Sequence, residues 1–304
     1  MNESQPVSGF VNSTNGRLSI AASMIGAAIR LVDRVAPRRA EQLATDLFLT
    51  PRRIAAPERE KEWTKGATSF GMVTSKGNRI EVLVWGDGER GTVLLLHGWE
   101  GRASQMGAIA LELAAAGYRA VAPDLPAHGS SLGSRTNVVE ASWVAFDVAK
   151  RFGPLAAIVA HSFGCAAATV ALGRGARAGR AVFIAPANDF AFYSESFVSA
   201  LHLSPDMAGR IQHETEKRVG ATWASLQADA LPRERAVPLL VVHDEADREI
   251  PFAQGAKVAR VWPDATLLPT RGLGHTRILR DPGVVRAAVE FAGVDRAAAE
   301  AIAV

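Results

Sequence analysis

The stretch Val159-Ala160-His161-Ser162-Phe163-Gly164-Cys165 decides the fold of this chain. An apolar run precedes it and small residues at 166–168 follow it, a pattern that predicts a strand, a tight turn and a helix. Ser162 stands at the turn, as in a nucleophile elbow. Such a turn needs small residues two positions before and after the serine. Gly164 meets that need, and Ala160 meets it with one methyl group more than the usual glycine. Ser162 is therefore the candidate nucleophile.

Strand-like and helix-like segments alternate on both sides of this stretch. Strands are predicted at 70–75, 79–85, 92–96, 119–122, 155–160, 181–185, 239–243 and 266–268. Helices are predicted at 103–116, 138–152, 162–172, 252–261 and 282–291. This alternation indicates an α/β fold with a mainly parallel central sheet. Right-handed crossovers then place helices on both faces of the sheet.

Two segments depart from the alternation. Residues 1–65 form an N-terminal arm and helical extension: 1–16 are polar and predicted to be disordered, and 17–50 read as a helical hairpin interrupted at Pro37. The hairpin is expected to pack on the main domain or on a partner, and a lid or a homodimer contact are the alternatives. Residues 187–236 contain no strand-like run and read as a helical cap insertion, with short helices at 190–203, 205–219 and 221–230. The remaining segments, 66–186 and 237–304, make the core. Because the insertion follows a strand whose carboxyl end faces the site, a cap over the site is favoured over a surface excursion.

Composition narrows the class of protein. The 304 residues are 48% hydrophobic and 21% charged, with a formal net charge of only +3, which does not indicate a nucleic-acid partner. The one cysteine, Cys165, excludes an intramolecular disulfide and is expected to be a buried core residue. The apolar run 18–29 is shorter than the ~20 residues that span a bilayer. We therefore expect a cytoplasmic protein without a membrane partner.

A serine hydroxyl needs a base, and the base needs an orienting acid. His275 is the candidate base, because it follows the strand 266–268 through a loop with two glycines. An acidic turn after the strand 239–243 offers two acids, Asp247 and its main rival Asp244. Glu245 and Asp189 are weaker candidates.

The developing oxyanion needs fixed N–H donors, each worth roughly 3 kcal/mol of barrier. One candidate is the backbone N–H of Phe163, directly after the nucleophile at the start of a helix. The other is the backbone N–H of Trp99, in the loop His97-Gly98-Trp99-Glu100-Gly101 after the strand 92–96. Gly98 permits a close turn there.

Four motifs together resemble the α/β-hydrolase superfamily over residues 66–293. They are an oxyanion motif, a loop like Asp-x-Pro-Gly-x-Gly-x-Ser with Ala127 where glycine is common, the elbow, and an acid turn that commonly has glycine where Asp244 stands. In this chain they read His97-Gly98-Trp99, Asp124-Leu125-Pro126-Ala127-His128-Gly129-Ser130, Ala160-His161-Ser162-Phe163-Gly164 and His243-Asp244-Glu245-Ala246-Asp247. The chain order Ser162, Asp247, His275 is also that of the superfamily. The resemblance implies the α/β-hydrolase fold of a serine esterase or lipase, and it selects Asp247 over Asp244.

The expected function is hydrolysis of a carboxylic ester or related small acyl substrate through an acyl-enzyme. An acyltransferase, thioesterase, peptidase or carbon–carbon hydrolase on the same scaffold stays open. A non-catalytic binding protein is disfavoured, because all three triad positions are filled. We expect no cofactor and no catalytic metal. Asp124 and His128 are expected to organise their loop, and His161 to point away from the cleft.

Overall fold

One eight-stranded sheet carries the fold in the computed structural model, which describes residues 16–293. The strands are β1 (Thr68–Val73), β2 (Arg79–Trp85), β3 (Thr92–Leu96), β4 (Arg119–Pro123), β5 (Leu155–His161), β6 (Ala178–Ile184), β7 (Leu239–Asp244) and β8 (Ala265–Thr270). Their order is β1-β2-β4-β3-β5-β6-β7-β8. β2 pairs antiparallel with β1 and β4, and the other pairs are parallel. The mainly parallel sheet is confirmed, and each predicted strand is found within three residues of its expected ends.

Helices surround this sheet and fill the segments outside it. They are α1 (Gly16–Val35), α2 (Pro37–Phe48), α3 (Glu58–Thr64), α4 (Gly107–Ala115), α5 (Val138–Phe152), α6 (Phe163–Gly173), α7 (Phe190–Ala200), α8 (Asp206–Val219), α9 (Phe252–Val261), α10 (Gly274–Arg277) and α11 (Pro282–Gly293). The predicted helix 103–116 begins as a 3₁₀ turn over Ala103–Met106 before α4, and the predicted helix 221–230 is two 3₁₀ turns. The predicted arm lies outside the described residues, except for Gly16.

The apolar strands place two cores on opposite faces of the sheet. β3 is buried along its whole length, and alternate side chains enter different cores. Leu94 and Leu96 pack with α5 and α6 on one face. Val93 and Leu95 pack with α4 and α11 on the other. The helices on both faces are thus explained by a strand that is apolar on both sides.

The N-terminal hairpin packs on the cap, where a third apolar cluster forms. Buried residues of α1, α2, α7, α8 and the turn between α7 and α8 make this cluster: Ile29, Ala40, Ala44, Phe197, Val198, Leu201, Leu203, Met207, Ala208 and Ile211. Ion pairs join the same elements, with Arg210 of α8 2.8 Å from Asp33 and Arg218 of α8 2.6 Å from Asp46. The extension and the cap therefore pack together as one helical layer.

The opposite face of α1 is apolar and exposed. Ile20, Met24, Leu31 and Val35 recur along that face and are 62%, 69%, 64% and 81% exposed. Within residues 16–293, no helix combines the length and apolarity needed to cross a bilayer. The homodimer through the N-terminal helices stays a prediction.

Candidate active site

Ser162 lies on the strained turn between β5 and α6. Its backbone adopts φ 51° and ψ −119°, a conformation that costs a non-glycine residue of order 1–3 kcal/mol and is held by its surroundings. The Ser162 N–H donates to the Ile184 carbonyl at 3.0 Å. Gly164 lets α6 approach β3, because a Cβ atom there would lie 2.6 Å from the Leu96 carbonyl oxygen. The helix begins at Phe163, one residue later than predicted, because Ser162 is the turn itself.

His275 and Asp247 meet in a buried hydrogen bond. Nδ1 of His275 lies 2.8 Å from Oδ2 of Asp247, and the two side chains are 7% and 0% exposed. Oδ1 of Asp247 accepts the backbone N–H groups of Glu249 and Ile250 at 2.8 and 3.0 Å. Burial raises the pKa of Asp247, but hydrogen bonds from His243 and His275 outweigh it and hold that pKa well below its ordinary value. The carboxylate is thus ionised beside the imidazole.

Asp244, the rival acid, contacts a different set of groups. Its carboxylate accepts the Thr270 hydroxyl and the Leu273 N–H, both at 2.9 Å, and the Ala246 N–H at 3.0 Å. These bonds fix the segment that leads to His275, which lies in the short helix α10. Asp244 supports the loop while Asp247 contacts the imidazole.

The two weaker candidates for the triad acid, Glu245 and Asp189, contact other groups. Glu245 pairs with Arg271 at 2.8 Å on the surface. The Asp189 side chain caps α7 by accepting the Phe192 N–H. Neither is the hydrogen-bond partner of His275.

The loop after β3 lies directly against the nucleophile. A Cβ atom on Gly98 would be 2.9 Å from Nδ1 of His161 and 3.0 Å from Cβ of Ser162, so a larger residue would have to displace these neighbours. His97 holds the loop: its Nδ1–H donates to the Gly98 carbonyl at 2.7 Å, and its Nε2 accepts the Leu125 N–H at 3.0 Å. Burial lowers the pKa of His97 to about 4, so the ring is neutral at neutral pH.

Both predicted oxyanion donors belong to residues at this junction. Phe163 is the first residue of α6, where backbone N–H groups lack intrahelical partners. Trp99 follows Gly98, and its ring lies 5.2 Å from that of Phe163. Phe163 thus directly follows the turn that carries Ser162, and Trp99 directly follows Gly98, which packs against Ser162.

The Asp124 loop supports this junction. Asp124 accepts the Ala103 N–H at 2.6 Å and the Ser130 N–H at 2.7 Å. The His128 Nδ1–H donates to the Pro126 carbonyl at 2.9 Å. These contacts agree with the organising role expected for Asp124 and His128.

Ser162 and His275 line one cavity of about 200 Å³. Its wall is mainly apolar and comes from the core, the cap and the N-terminal extension. Among its apolar lining residues are Phe48, Leu49, Val138, Phe190, Phe192, Val219, Trp223 and Leu226. Its charged lining residues in the described chain are two carboxylates, Glu100 and Glu249, and no lysine or arginine.

The expectation for His161 was wrong. His161 lines the cavity, and its ring centroid lies 4.6 Å from that of His275. The absence of a side chain at Gly98 leaves room for the ring, since a Cβ atom there would be 2.9 Å from His161 Nδ1. A hydrogen bond from Nε2 to the His275 carbonyl holds the ring in place.

Comparison with known families gives a match over most of this core. Residues 93–288 match the model described as "Alpha/beta hydrolase family". The chain belongs to this family. A search of curated proteins finds no match for the α/β hydrolase.

Solved structures share the fold at low sequence identity. An esterase from Pyrococcus furiosus is 16% identical with a TM-score of 0.60, over 80% of this α/β hydrolase and 95% of that chain. An esterase from Rhodococcus sp. is 20% identical with a TM-score of 0.56, over 74% of this α/β hydrolase and 98% of that chain. A carboxylesterase from Bacillus subtilis is 18% identical with a TM-score of 0.57, over 77% of this α/β hydrolase and 94% of that chain. At such identities the likeness establishes the fold of this α/β hydrolase.

Sequence reasoning missed how the extension of this α/β hydrolase reaches the site. Phe48 and Leu49 line the cavity. Arg52 donates to both oxygens of Glu100, at 2.8 and 2.6 Å. Arg53 donates to the carbonyls of Gly129 and Ser131 in the Asp124 loop. Such contacts join distant parts of the chain and leave no periodic signal.

Proposed function

We propose that this α/β hydrolase is a serine hydrolase that cleaves a carboxylic ester through an acyl-enzyme. One observation carries the proposal. A buried Asp247–His275 hydrogen bond of 2.8 Å lies beside a serine on a strained elbow, and both His275 and Ser162 line one cavity. This is the arrangement that activates a serine hydroxyl.

In the first half of the reaction, Nε2 of His275 accepts the Ser162 proton while Oγ attacks the ester carbonyl. Asp247 holds His275 by Nδ1 and stabilises the imidazolium that forms. The N–H groups of Trp99 and Phe163 donate to the oxyanion. The tetrahedral intermediate then collapses, and His275 returns its proton to the departing alcohol.

In the second half, water attacks the acyl-enzyme and His275 accepts its proton. Collapse of the second tetrahedral intermediate releases the carboxylic acid. The proton returns from His275 to Oγ of Ser162, which restores the enzyme. Because His275 keeps each accepted proton on its imidazole until it donates that proton, Asp247 stays ionised in both halves.

The cavity wall supports a substrate with an uncharged, apolar acyl group. An aromatic group formed by Phe48, Phe190 and Trp223 joins the extension to the cap, with ring centroids 6.3 and 6.1 Å from that of Trp223. An anionic acyl tail would meet Glu100 and Glu249 without a lining lysine or arginine in the described chain. We also propose that the enzyme acts in the cytoplasm on a small molecule, without a nucleic-acid or membrane partner.

Covalent labelling tests this proposal. Wild type should react with a fluorophosphonate probe, and Ser162→Ala should lose labelling and roughly 10⁴–10⁶-fold in kcat on a p-nitrophenyl ester. Ser196→Ala is the matched control, because Ser196 also lines the cavity. Labelling that persists in Ser162→Ala would contradict the assignment. Product analysis with competing water and alcohols separates a hydrolase from an acyltransferase.

A further inference from the structure

Two buried histidines adjoin the candidate dyad without a role in the steps above. His161 is the last residue of β5, and His243 lies in β7. The His161 residue is 3% exposed and the His243 residue 0%. A buried imidazole needs a reason, because its polar atoms lose water.

His243 contacts the triad acid. Its Nε2 lies 3.1 Å from the Ile250 carbonyl oxygen, which can only accept, so Nε2 carries the proton. The same nitrogen lies 3.4 Å from Oδ2 of Asp247, the oxygen that His275 also contacts. Nδ1 of His243 has no hydrogen-bond partner among the described residues and packs on Gly255, where a Cβ atom would be 2.3 Å away. The Nε2–H of His243 therefore faces the carboxylate of Asp247.

His161 contacts the candidate base. Its Nε2 lies 3.0 Å from the backbone carbonyl oxygen of His275, so this nitrogen also carries the proton. Nδ1 has no partner in the described part of the chain. Burial lowers the pKa of His161 to about 3, so the ring is neutral at neutral pH. A charged ring here, whose centroid lies 4.6 Å from that of His275, would oppose the imidazolium that the reaction forms.

We propose that His161 and His243 are positioning residues that hold the two partners of the Asp247–His275 pair from opposite ends. His161 fixes the backbone of the base, and His243 places its Nε2–H, which donates to the Ile250 carbonyl, 3.4 Å from Oδ2 of the acid. This proposal rests on the proposed function. It adds an electrostatic role for His243: its N–H shares the charge on Oδ2, which moderates how strongly Asp247 favours a protonated His275.

Other charged groups face the dyad and belong to this balance. Glu249 lines the cavity, and burial raises its pKa. Glu100, from the loop after β3, is held by Arg52 at 2.6 Å. A variant at position 243 leaves both carboxylates in place, so a change in pH profile reports on the lost donor.

The pH dependence of kcat/KM on a p-nitrophenyl ester tests the role of His243. His243→Leu should move the midpoint of the acidic limb up by about 0.5–1 pH unit, and His243→Gln, whose amide keeps a donor, should restore most of the shift. His213→Gln, at an exposed histidine of α8, is the control. A role in packing alone would lower the fraction of enzyme labelled by a fluorophosphonate without moving the limb. An unmoved limb in folded His243→Leu would overturn the electrostatic role.

The positioning role of His161 predicts an effect on kcat and not on KM. His161→Leu should lose about tenfold or more in kcat with little change in KM, because the base is misplaced in the attack step. His161→Gln should recover much of the loss, since its amide can donate to the same carbonyl. Equal losses in the two variants, with full labelling, would overturn the positioning role.

A measurement without turnover separates this proposal from the proposed function. Nitrogen NMR of wild type should show His161 as a neutral Nε2–H tautomer and His243 protonated at Nε2 at pH 7, and the His275 titration midpoint should rise in His243→Leu. A neutral Nδ1–H form at either position, or an imidazolium at His161, would overturn the proposal in the folded native protein. If these NMR results hold but no ester is cleaved and no probe reacts, only the proposed function fails.

Discussion

Breaking the buried ion pair between Glu60 and Arg102 at one partner should destabilise this fold more than most single substitutions. Glu60 lies in α3, and Arg102 closes the loop that contains Trp99. Nε and Nη2 of Arg102 lie 2.6 and 2.8 Å from the two carboxylate oxygens of Glu60, which also accepts the Ser104 hydroxyl. The two side chains are 10% and 3% exposed. Glu60→Gln leaves the arginine charge buried without its counter-charge, which costs roughly 3–5 kcal/mol.

Urea unfolding at pH 7 measures this loss directly. Glu58→Gln is the matched control, because Glu58 lies in the same helix and its pair with Lys61 is 76% and 63% exposed, so its effect should stay within about 0.5 kcal/mol. Glu60→Met combined with Arg102→Met should recover part of the loss, since it removes both buried charges. A loss below about 1 kcal/mol for Glu60→Gln, with a normal urea slope, would refute this account of the pair.

Three further outcomes follow from burial and packing. Burial holds the pKa values of His97, His128 and His161 at about 4, 3 and 3, whereas the ordinary value is 6.5. As the pH falls, the unfolded chain therefore binds these three protons before the folded chain does. The free energy of unfolding should thus decrease at pH values below 6.5, by up to about 4 kcal/mol per pH unit near pH 5. Urea titrations at pH 7, 6 and 5 check this, and constant stability would contradict it. Phe48→Ala should improve kcat/KM for longer acyl esters relative to short ones, by about fourfold per added methylene that is buried. A chain-length series of esters checks this, with Leu43→Ala as the control because Leu43 lies on the same helix and is 50% exposed. An unchanged chain-length preference in Phe48→Ala would exclude Phe48 from the acyl site. Leu31→Glu should dissociate the predicted homodimer, as seen by sedimentation velocity, and a dimer unaffected by this change would rule out the α1 face.

The sheet and the elbow could be predicted because their signals are local. β3 reads as a continuous apolar run, and such a run is expected where helices cover both faces of a parallel sheet. The turn at Ser162 needs small neighbours, and Gly164 is visible in the sequence. Strand ends were less certain, because pairing with a neighbour extends a strand past its apolar residues, as at Ala178–Ile184.

The contacts of the extension could not be predicted, because they join residues far apart in sequence. Arg52 and Glu100 are 48 positions apart, and Glu60 and Arg102 are 42 apart. Nothing in either segment indicates its partner. A signal for α3 was present, since Pro57 precedes a first turn with Glu58 and Glu60, a composition that favours a helix start. The buried partner of Glu60 still could not be inferred from that signal.

The choice between Asp244 and Asp247 shows where local reasoning ends. Both follow the predicted strand 239–243 within four residues, and spacing alone does not say which carboxylate faces the histidine. The two side chains have different contacts. Asp244 accepts hydrogen bonds from Thr270 and Leu273, which fixes the path of the chain before α10. That path brings His275 to Asp247. Replacing either aspartate should therefore impair the site, but by different routes. Loss of Asp247 removes the charge beside the imidazole, whereas loss of Asp244 releases the segment that carries it.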